Sequence, residues 1–179
     1  MKNNGKVGKN KIRIFVDGSC DDNCGISTIA YNIQDGFIKD KKFIRLDCIH
    51  NKYFATKTQY KSPIDAEIDA IELGFNTFCG CVNFNSIFKK VPIRIKSDSM
   101  IIIKYITKKK ITEGFNFNEN QLYKMDLLHI QYKCLTTLYP NLKLSYIPRK
   151  ENIAHHNAYE KLKWERSLII NNEGVVDNG

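Results

Sequence analysis

Residues 11 to 20 read Lys-Ile-Arg-Ile-Phe-Val-Asp-Gly-Ser-Cys, an alternating apolar run that predicts a β-strand with an acid near its end. Its isoleucines and valine share one face, so Asp17 falls on the opposite face with Phe15. β-Branched and aromatic residues are typical of a central strand, where an unpaired carboxylate is costly and a divalent cation is an obvious partner. The alternative is that Asp17 only opens an Asp-Gly turn.

The bulk composition of the 179-residue chain predicts one globular domain with a full core. Hydrophobic residues make up 42% and charged residues 26%, which excludes a disordered chain, and no apolar run reaches the length of a membrane span. Because the first residues lack the apolar segment of a secretion signal, we expect a cytoplasmic protein. Separately, we expect the protein to be a monomer. The domain should span residues 11–168, with a basic flexible tail at residues 1–10 and a second flexible tail at residues 169–179.

The charge of the chain predicts a polyanionic partner. Its formal net charge is +9, and cations cluster at the start of the chain, at Lys108-Lys109-Lys110 and at Arg149-Lys150. The alternative is a basic surface that binds no ligand. We expect no membrane partner.

The six cysteines are scattered and include no C-x-x-C pair, so we expect reduced thiols. A zinc site built from Cys20, Cys24 and the pair His155-His156 is an alternative, but these spacings fit no standard zinc finger.

The rest of the chain predicts an antiparallel meander followed by helices and strands. Asp35-Gly36 is a strong hairpin signal between the second and third strands. Ser62 and Pro63 mark the first helix as its N-cap and first helical residue. The predicted strands are residues 11–18, 26–34, 41–49, 91–98 and 141–148, the predicted helices are about residues 63–78, 100–106, 118–139 and 153–168, and residues 50–61 and 79–81 are predicted loops.

Two further acids lie where a purely structural acid is not expected. In the first helix, Glu67 lies at the edge of the apolar stripe and points toward the sheet, unlike Asp69, which falls on the solvated face. Asp98 lies at the carboxyl end of a strand, where ligands gather in open sheets. The alternatives are that Glu67 reaches out to water and that Asp98 only caps the next helix.

Three short motifs, in this order, resemble the signatures of the ribonuclease H family. They are Asp17-Gly18-Ser19-Cys20 with Asn23 and Gly25 in the first strand region, Ala66-Glu67-x-x-Ala70 in the first helix, and Ser97-Asp98-Ser99 at the end of the fourth strand. The resemblance spans residues 11 to about 165. It implies an α/β fold with a five-stranded mixed sheet, three antiparallel strands followed by two parallel ones, and helices on both faces.

The resemblance implies an endoribonuclease that hydrolyses the RNA strand of RNA/DNA hybrids. Phosphodiester hydrolysis needs an activated water, a stabilised leaving oxygen and neutralised charge, which two Mg²⁺ ions about 4 Å apart can supply. The implied catalytic and metal-binding residues are Asp17, Glu67, Asp98 and His155, with Asp17 bridging the two ions. The implied substrate-binding residues are Gly18, Ser19, Cys20, Asn23, Ser99, Lys108, Lys109 and Lys110.

The chain departs from the family pattern at the fourth acid, which usually opens the last helix in the form Asn-x-x-Ala-Asp. Here the segment is Glu151-Asn-Ile-Ala-His-His-Asn-Ala158, and the best match places His155 at the position of the acid, or His156 if no gap is allowed. Imidazole is a softer, neutral ligand, so we expect weaker Mg²⁺ binding and a preference for Mn²⁺. The departure bears on turnover rather than on fold.

Two other functions stay open on the sequence alone. The first is a non-catalytic nucleic-acid-binding module that keeps the fold and has lost efficient chemistry through the histidine. The second is another nuclease of the same superfamily, such as an exonuclease or a resolvase, although those relatives usually distribute their acids differently. Convergence of Asp17, Glu67 and Asp98 within reach of one ion would separate an enzyme from a binding module.

Overall fold

The structure is a computed structural model that describes residues 10–39, 42–45, 52–59, 62–84 and 91–173. Its strands are β1 (Asn10–Asp21), β2 (Ile26–Lys39), β3 (Lys42–Arg45), β4 (Lys52–Thr58), β5 (Ile93–Ser97) and β6 (Leu142–Tyr146). Its helices are α1 (Pro63–Phe84), α2 (Met100–Lys108), α3 (Glu119–Leu138) and α4 (Ile153–Glu173), and a short 3-10 turn at Arg149–Glu151 precedes α4.

All the strands belong to one mixed sheet with the order β3-β2-β1-β5-β6, and β4 also pairs with β2. β1 and β2 are antiparallel, whereas β1, β5 and β6 run parallel. β3 pairs with residues 36–39 of β2 and β4 pairs with residues 27–33, so these two strands share one position beside β2. The sheet therefore has the five positions that the sequence predicts, three antiparallel and then two parallel, and the predicted fold class is confirmed.

The core explains why the alternating strands and the amphipathic helices form where they do. Ile12, Ile14 and Val16 of β1 are buried on the face of the sheet that carries α1, α2 and α3. A smaller core lies on the other face under α4. The predicted stripe of α1 is confirmed, since it is fully buried from its second turn onward at Ile68, Ile71, Phe75 and Phe78.

Two local predictions are wrong because tertiary pairing overrides local propensity. Asp35 and Gly36 do not form a hairpin turn, because they lie within β2 opposite Ile12 and Lys11 of β1. Residues 52–58 lie in the predicted loop but form β4, and the third predicted strand is described only as far as Arg45.

Two helices are longer than their patterns predict. α1 continues through Cys79-Gly80-Cys81 to Phe84, and α4 continues past Leu168 to Glu173, so the first residues of the predicted second tail are helical. The first nine residues, residues 46–49 and the last six residues, on which further predictions rest, lie outside the described residues. Within the described ranges, no helix combines the length and apolar character that a membrane span needs.

Candidate active site

Three carboxylates converge at the carboxyl ends of β1 and β5. Asp17 lies in β1 and is only 1% exposed, Glu67 lies in the first turns of α1, and Asp98 directly follows β5. Each contributes one oxygen atom, and these three oxygens lie within 4.8 Å of one another. Asp17 does not open a turn, because β1 continues to Asp21.

Gly18 brings the strand and the helix close enough for this convergence. A Cβ atom at Gly18 would lie 2.4 Å from both the carbonyl carbon and the carbonyl oxygen of Ala66, and 2.8 Å from the backbone nitrogen of Glu67. The backbone of β1 therefore packs directly on the backbone of α1 at Ala66, the residue before Glu67. Gly18, predicted to bind substrate, has this packing role in the structure.

The first helix is held in place by its cap. The Ser62 hydroxyl accepts from the backbone N–H of Asp65 at 3.3 Å and donates to the Asp65 carboxylate at 2.6 Å. This confirms Ser62 as the N-cap. The cap fixes the start of α1 one turn before Glu67 and so sets which residue faces the acids.

The electrostatics of the three acids favour a bound cation. Burial, followed by the charges of Glu67 and Asp98, raises the pKa of Asp17 to about 9, against the opposing charge of Arg149. Burial, followed by the charge of Asp98, raises the pKa of Glu67 to about 8, again against Arg149. The buried Oε2 atom of Glu67 has no hydrogen-bond partner among the described residues. A divalent cation would supply this partner and would offset the repulsion between the carboxylates.

Asn152 joins two of the acids, although it was not among the predicted site residues. Its Nδ2 group donates to the Val16 carbonyl at 2.9 Å, to Asp17 Oδ1 at 3.2 Å and to Asp98 Oδ1 at 3.1 Å. It lies just before α4 and is 4% exposed. The signal for it was present in the sequence, since the family pattern at this helix begins with an asparagine.

His155, rather than His156, faces the acids. Its Nδ1 atom lies 3.0 Å from Asp17 Oδ2, and Arg149 Nε donates to its Nε2 atom at 3.1 Å. These contacts assign the proton to Nδ1, and the pKa of His155 is lowered by burial and then by Arg149. His156 is exposed. Both ring nitrogens of His155 thus contact protein groups, and its role as a metal ligand stays a prediction.

A cleft of about 400 Å³ opens beside the acids and continues toward a group of lysines. Besides Glu67 and Asp98, it is lined by Ser99, Met100, Ile101, Phe115, Tyr146 and Arg149. Phe115 also lines a second cavity of about 670 Å³, together with Lys104, Lys108 and Lys110. The second cavity is larger, but Glu67 and Asp98 line only the first, which we therefore take as the candidate active site.

The remaining predicted site residues fall in different places. Ser99 lines the cleft, and its backbone N–H donates to the Ser97 hydroxyl at 3.0 Å. Lys108 and Lys110 line the second cavity, whereas Lys109 forms an ion pair with Asp126. Lys109 is thereby directed toward α3.

Near the end of β1, the predicted substrate-binding residues Ser19 and Cys20 are partly exposed, and Asn23 is exposed in the following turn. Burial, followed by the charge of Asp22, raises the pKa of the Cys20 thiol to about 11. In the part of the chain that the structure describes, Cys20, Cys24 and the histidines form no group with metal-binding geometry, so the zinc alternative has no support.

Comparison with known proteins identifies solved structures that share this architecture. No family model matches the chain, and no curated protein matches its sequence. Among solved structures, a ribonuclease H1 isolated from compost by a metagenomic approach matches with a TM-score of 0.62 at 18% identity, covering 87% of this chain and 97% of that chain. A structure of this enzyme in complex with an RNA/DNA hybrid matches with a TM-score of 0.51 at 16% identity, covering 86% and 98%.

Two further solved structures share this architecture. Ribonuclease H1 from the archaeon Halobacterium salinarum matches with a TM-score of 0.55 at 15% identity, covering 86% of this chain and 98% of that chain. The N-terminal ribonuclease H domain of a Mycobacterium tuberculosis protein, solved as a fusion with maltose-binding protein, matches with a TM-score of 0.58 at 14% identity, covering 89% and 98%. At these identities the similarity establishes the fold alone, and the chain has the ribonuclease H-like fold.

Proposed function

We propose that this protein is a metal-dependent endoribonuclease that hydrolyses the RNA strand of RNA/DNA hybrids. The observation that carries the proposal is the convergence of the Asp17, Glu67 and Asp98 carboxylates within 4.8 Å, beside an open cleft. Asp17 is buried and the other two acids are half-buried, so like charges at this distance are costly, and hydrolytic metal sites are a known use for such an arrangement. The fold supports the proposal, because the compost enzyme of the same architecture was solved in complex with an RNA/DNA hybrid.

The residues present fit a divalent cation. All three donors are hard carboxylate oxygens, the set that Mg²⁺ and Mn²⁺ prefer, and the Oε2 atom of Glu67 has no other partner among the described residues. We propose that Asp17, Glu67 and Asp98 would hold a first ion and that Asp17 and His155 would contribute to holding a second. When bound, such ions acidify a water and neutralise charge on the attacked phosphodiester.

The protein's own groups orient this site. Asn152 fixes the carboxylates of Asp17 and Asp98, and His155 donates its Nδ1 proton to Asp17. Arg149 carries a fixed positive charge at the cleft, where it can hold a phosphate oxygen next to the scissile bond. His155 must release Asp17 or Arg149 before it can bind a metal ion, which is consistent with a weak second site and a preference for Mn²⁺.

Hybrid recognition would use the groups around the acids. We propose that Ser19, Cys20 and Asn23 read 2′-hydroxyls in the wide minor groove of the hybrid, and that Ser99 contacts the strand in the cleft. Lys108 and Lys110 would hold flanking phosphates, since their cavity shares Phe115 with the cleft. We assign Lys109 a weaker contribution, because it is already paired with Asp126.

The test is cleavage of a uniform RNA/DNA hybrid in Mg²⁺ and in Mn²⁺, with duplex RNA and duplex DNA as controls. We expect the wild type to cut only the RNA strand of the hybrid, faster in Mn²⁺. Asp17→Asn should reduce the rate at least about 100-fold, because it removes the shared carboxylate. Ser167→Ala, on an exposed part of α4, is the matched control and should cut like the wild type.

A second function is favoured by one observation. The hydrogen bonds that join Arg149 to His155 and His155 to Asp17 place a fixed positive charge beside the acids, where it would compete with a second metal ion. This would suit a nucleic-acid-binding module with little or no turnover. Hybrid binding without cleavage in either metal would support this module and would refute the nuclease.

A further inference from the structure

Four cations lie close together on one face of the sheet, outside the acid cluster and its cleft. The parallel register aligns Arg13 of β1 with Arg94 of β5, and Arg94 with Lys143 of β6. Lys96 follows Arg94 by two residues and therefore projects from the same face. These four residues, Arg13, Arg94, Lys96 and Lys143, are called the cationic face below.

The cationic face is on the side of the sheet opposite the main core. Residues that alternate with it, such as Ile93 and Leu142, are buried in that core. The helix on the cationic side, α4, packs on β1, β2 and β4. Lys143 is exposed and the other three cations are half-buried. The Arg94 guanidinium donates to the carbonyls of Ile93 at 2.9 Å and Asn141 at 3.3 Å, so the backbone anchors it.

These cations are closely spaced for groups of the same sign. Adjacent strands lie about 4.8 Å apart, so the Cα atoms of Arg13, Arg94 and Lys143 span only about 10 Å. Glu151 lies near enough to act electrostatically on Arg13 and Lys96. Even without Arg13, the cations Arg94, Lys96 and Lys143 outnumber Glu151 among the described residues of this face, and a polyanion would neutralise them.

We propose that the cationic face binds the phosphate backbone of a nucleic acid, at a site separate from the acid cluster. The face leads toward the acids along the strands. Arg13 precedes Asp17 by four residues, about 13 Å, and Lys96 precedes Asp98 by two residues, about 7 Å. The turn at Arg149–Glu151 lies between the two sites, since Glu151 acts on Arg13 and Lys96 and the next residue, Asn152, contacts Asp17 and Asp98. A long strand would pass over this turn to reach both. This continuity favours a long polyanion over a small anion, and the net charge of +9 acts in the same direction.

The test compares two double variants that remove the same charge. Lys96→Gln/Lys143→Gln changes the cationic face, and Lys133→Gln/Lys163→Gln changes exposed lysines on α3 and α4. Binding of a labelled 20-nucleotide RNA and of a 20-base-pair RNA/DNA hybrid is measured by fluorescence anisotropy in EDTA over a salt series. Thermal unfolding of both variants shows that they are folded.

We expect the cationic-face variant to bind about tenfold more weakly at moderate salt, with its log–log salt dependence less steep by about 2. The control variant should keep the wild-type slope. The two arms distinguish a single strand from a duplex as the source of the phosphates. Equal losses in the two double variants, or no loss in either arm, would overturn the proposal, because the effect would then be one of net charge or of other sites.

A second readout locates the bound strand. Bound RNA should slow acetylation of Lys96 and Lys143, measured by mass spectrometry, but not that of Lys133 and Lys163. Equal rates at all four lysines would refute the site. Because both measurements are made without divalent cations, they are independent of cleavage, and loss of the proposed nuclease activity would leave their outcome unchanged.

Discussion

Gly18 has no side chain, and this absence allows the strand and the first helix to touch through their backbones. The clash that a Cβ atom would make is with the carbonyl of Ala66 and the nitrogen of Glu67, neither of which can rotate away. Relief would require α1 to move away from β1. Since Glu67 is on α1 and Asp17 is on β1, that movement would separate two of the acids.

Gly18→Ala should therefore lower both the stability and the metal affinity of the protein. We expect a loss of at least about 2 kcal/mol in the free energy of unfolding, from urea denaturation, because overpacking against backbone is not relieved by a rotamer change. Mn²⁺ affinity, from isothermal titration calorimetry, should fall at the same time.

Gly80→Ala is the matched control for this prediction. A Cβ atom at Gly80 meets nothing within 4 Å, and the residue lies inside α1. The substitution should stabilise the protein by about 0.5–1 kcal/mol through helix propensity. If Gly18→Ala were as stable as Gly80→Ala, the close approach of β1 and α1 would be wrong.

Single residues differ in how far the sequence could reveal them. Asp17, Glu67 and Asp98 stand out because each is an acid in an apolar pattern, and that anomaly is local. Arg149 and Asn152 carry no such anomaly, since an arginine or asparagine in a polar turn is ordinary. Their roles depend on where α4 docks, and only the asparagine of the family pattern points to one of them in the sequence.

Among the elements, α4 completes the site through the residues at its start. Asn152 holds Val16, Asp17 and Asp98 together, and the next turn supplies His155. The body of α4 packs over the small core, with Ala154 and Ala158 buried against the sheet. Packing of the helix and orientation of the acids are therefore linked.

Asn152→Ala should weaken both the packing of α4 and the orientation of the acids. It leaves the Val16 carbonyl without its side-chain donor and removes a hydrogen bond from each of two carboxylates, so we expect a loss of about 1–3 kcal/mol in the free energy of unfolding. Mn²⁺ affinity should also fall. The exposed Asn120→Ala on α3 should change neither quantity, and equal behaviour of the two variants would count against the role of Asn152.

Helices α1 and α3 are joined by an ion pair that their patterns did not predict. Asp69 was expected on the solvated face of α1, but it is 8% exposed and lies 2.9 Å from Lys124 Nζ of α3. The prediction for Asp69 is wrong because α3 covers that side of α1.

Lys124→Met should destabilise the protein by about 1–2 kcal/mol, measured by thermal unfolding, because it leaves the buried Asp69 carboxylate without this cation. Lys163→Met is the control, since the Lys163–Glu160 pair is exposed on both sides and should contribute little. If Lys163→Met lost as much stability, the effect would come from the change in net charge and not from the Lys124–Asp69 pair.

The element boundaries show where sequence patterns reach their limit. Asp35-Gly36 is a turn signal in isolation, but β1 provides partners for both residues and the strand continues. Gly80 similarly interrupts the pattern of α1 without ending the helix. The predicted cap was more reliable, because Ser62 acts through a bond to a residue only three positions away.

For the whole molecule, the raised pKa values of Asp17 and Glu67 predict how stability depends on pH. In the metal-free folded chain these carboxyls keep their protons up to about pH 9 and about pH 8, whereas in the unfolded chain they lose them near pH 4. The folded state thus binds more protons in this window, so these two groups lower the free energy of unfolding as pH rises through it.

Asp17→Asn removes one of these titrating groups, so the free energy of unfolding should fall less steeply as pH rises. In EDTA, we expect the variant to be more stable than the wild type by roughly 1–3 kcal/mol at pH 8.5, with a smaller difference at pH 5, from urea denaturation. An equal difference at both pH values would contradict the burial of Asp17.

Divalent cations should reverse the pH effect in the wild type. Because they bind the deprotonated acids, Mn²⁺ should raise the melting temperature more at pH 8.5 than at pH 6. Asp17→Asn should show little of this increase. A wild type with no Mn²⁺ response at either pH would argue against a metal site at these acids.

The contacts of Asp17 with Asn152 and His155 join residues 135 and 138 positions apart. Because β1 precedes α4 in the chain, synthesis makes Asp17 135 residues before Asn152 and 138 residues before His155. A ribosome-bound chain, or one truncated before Asn152, has all three acids without the groups that align them. The arrangement of acids and orienting groups is therefore assembled only after α4 has been synthesised and has packed on the sheet.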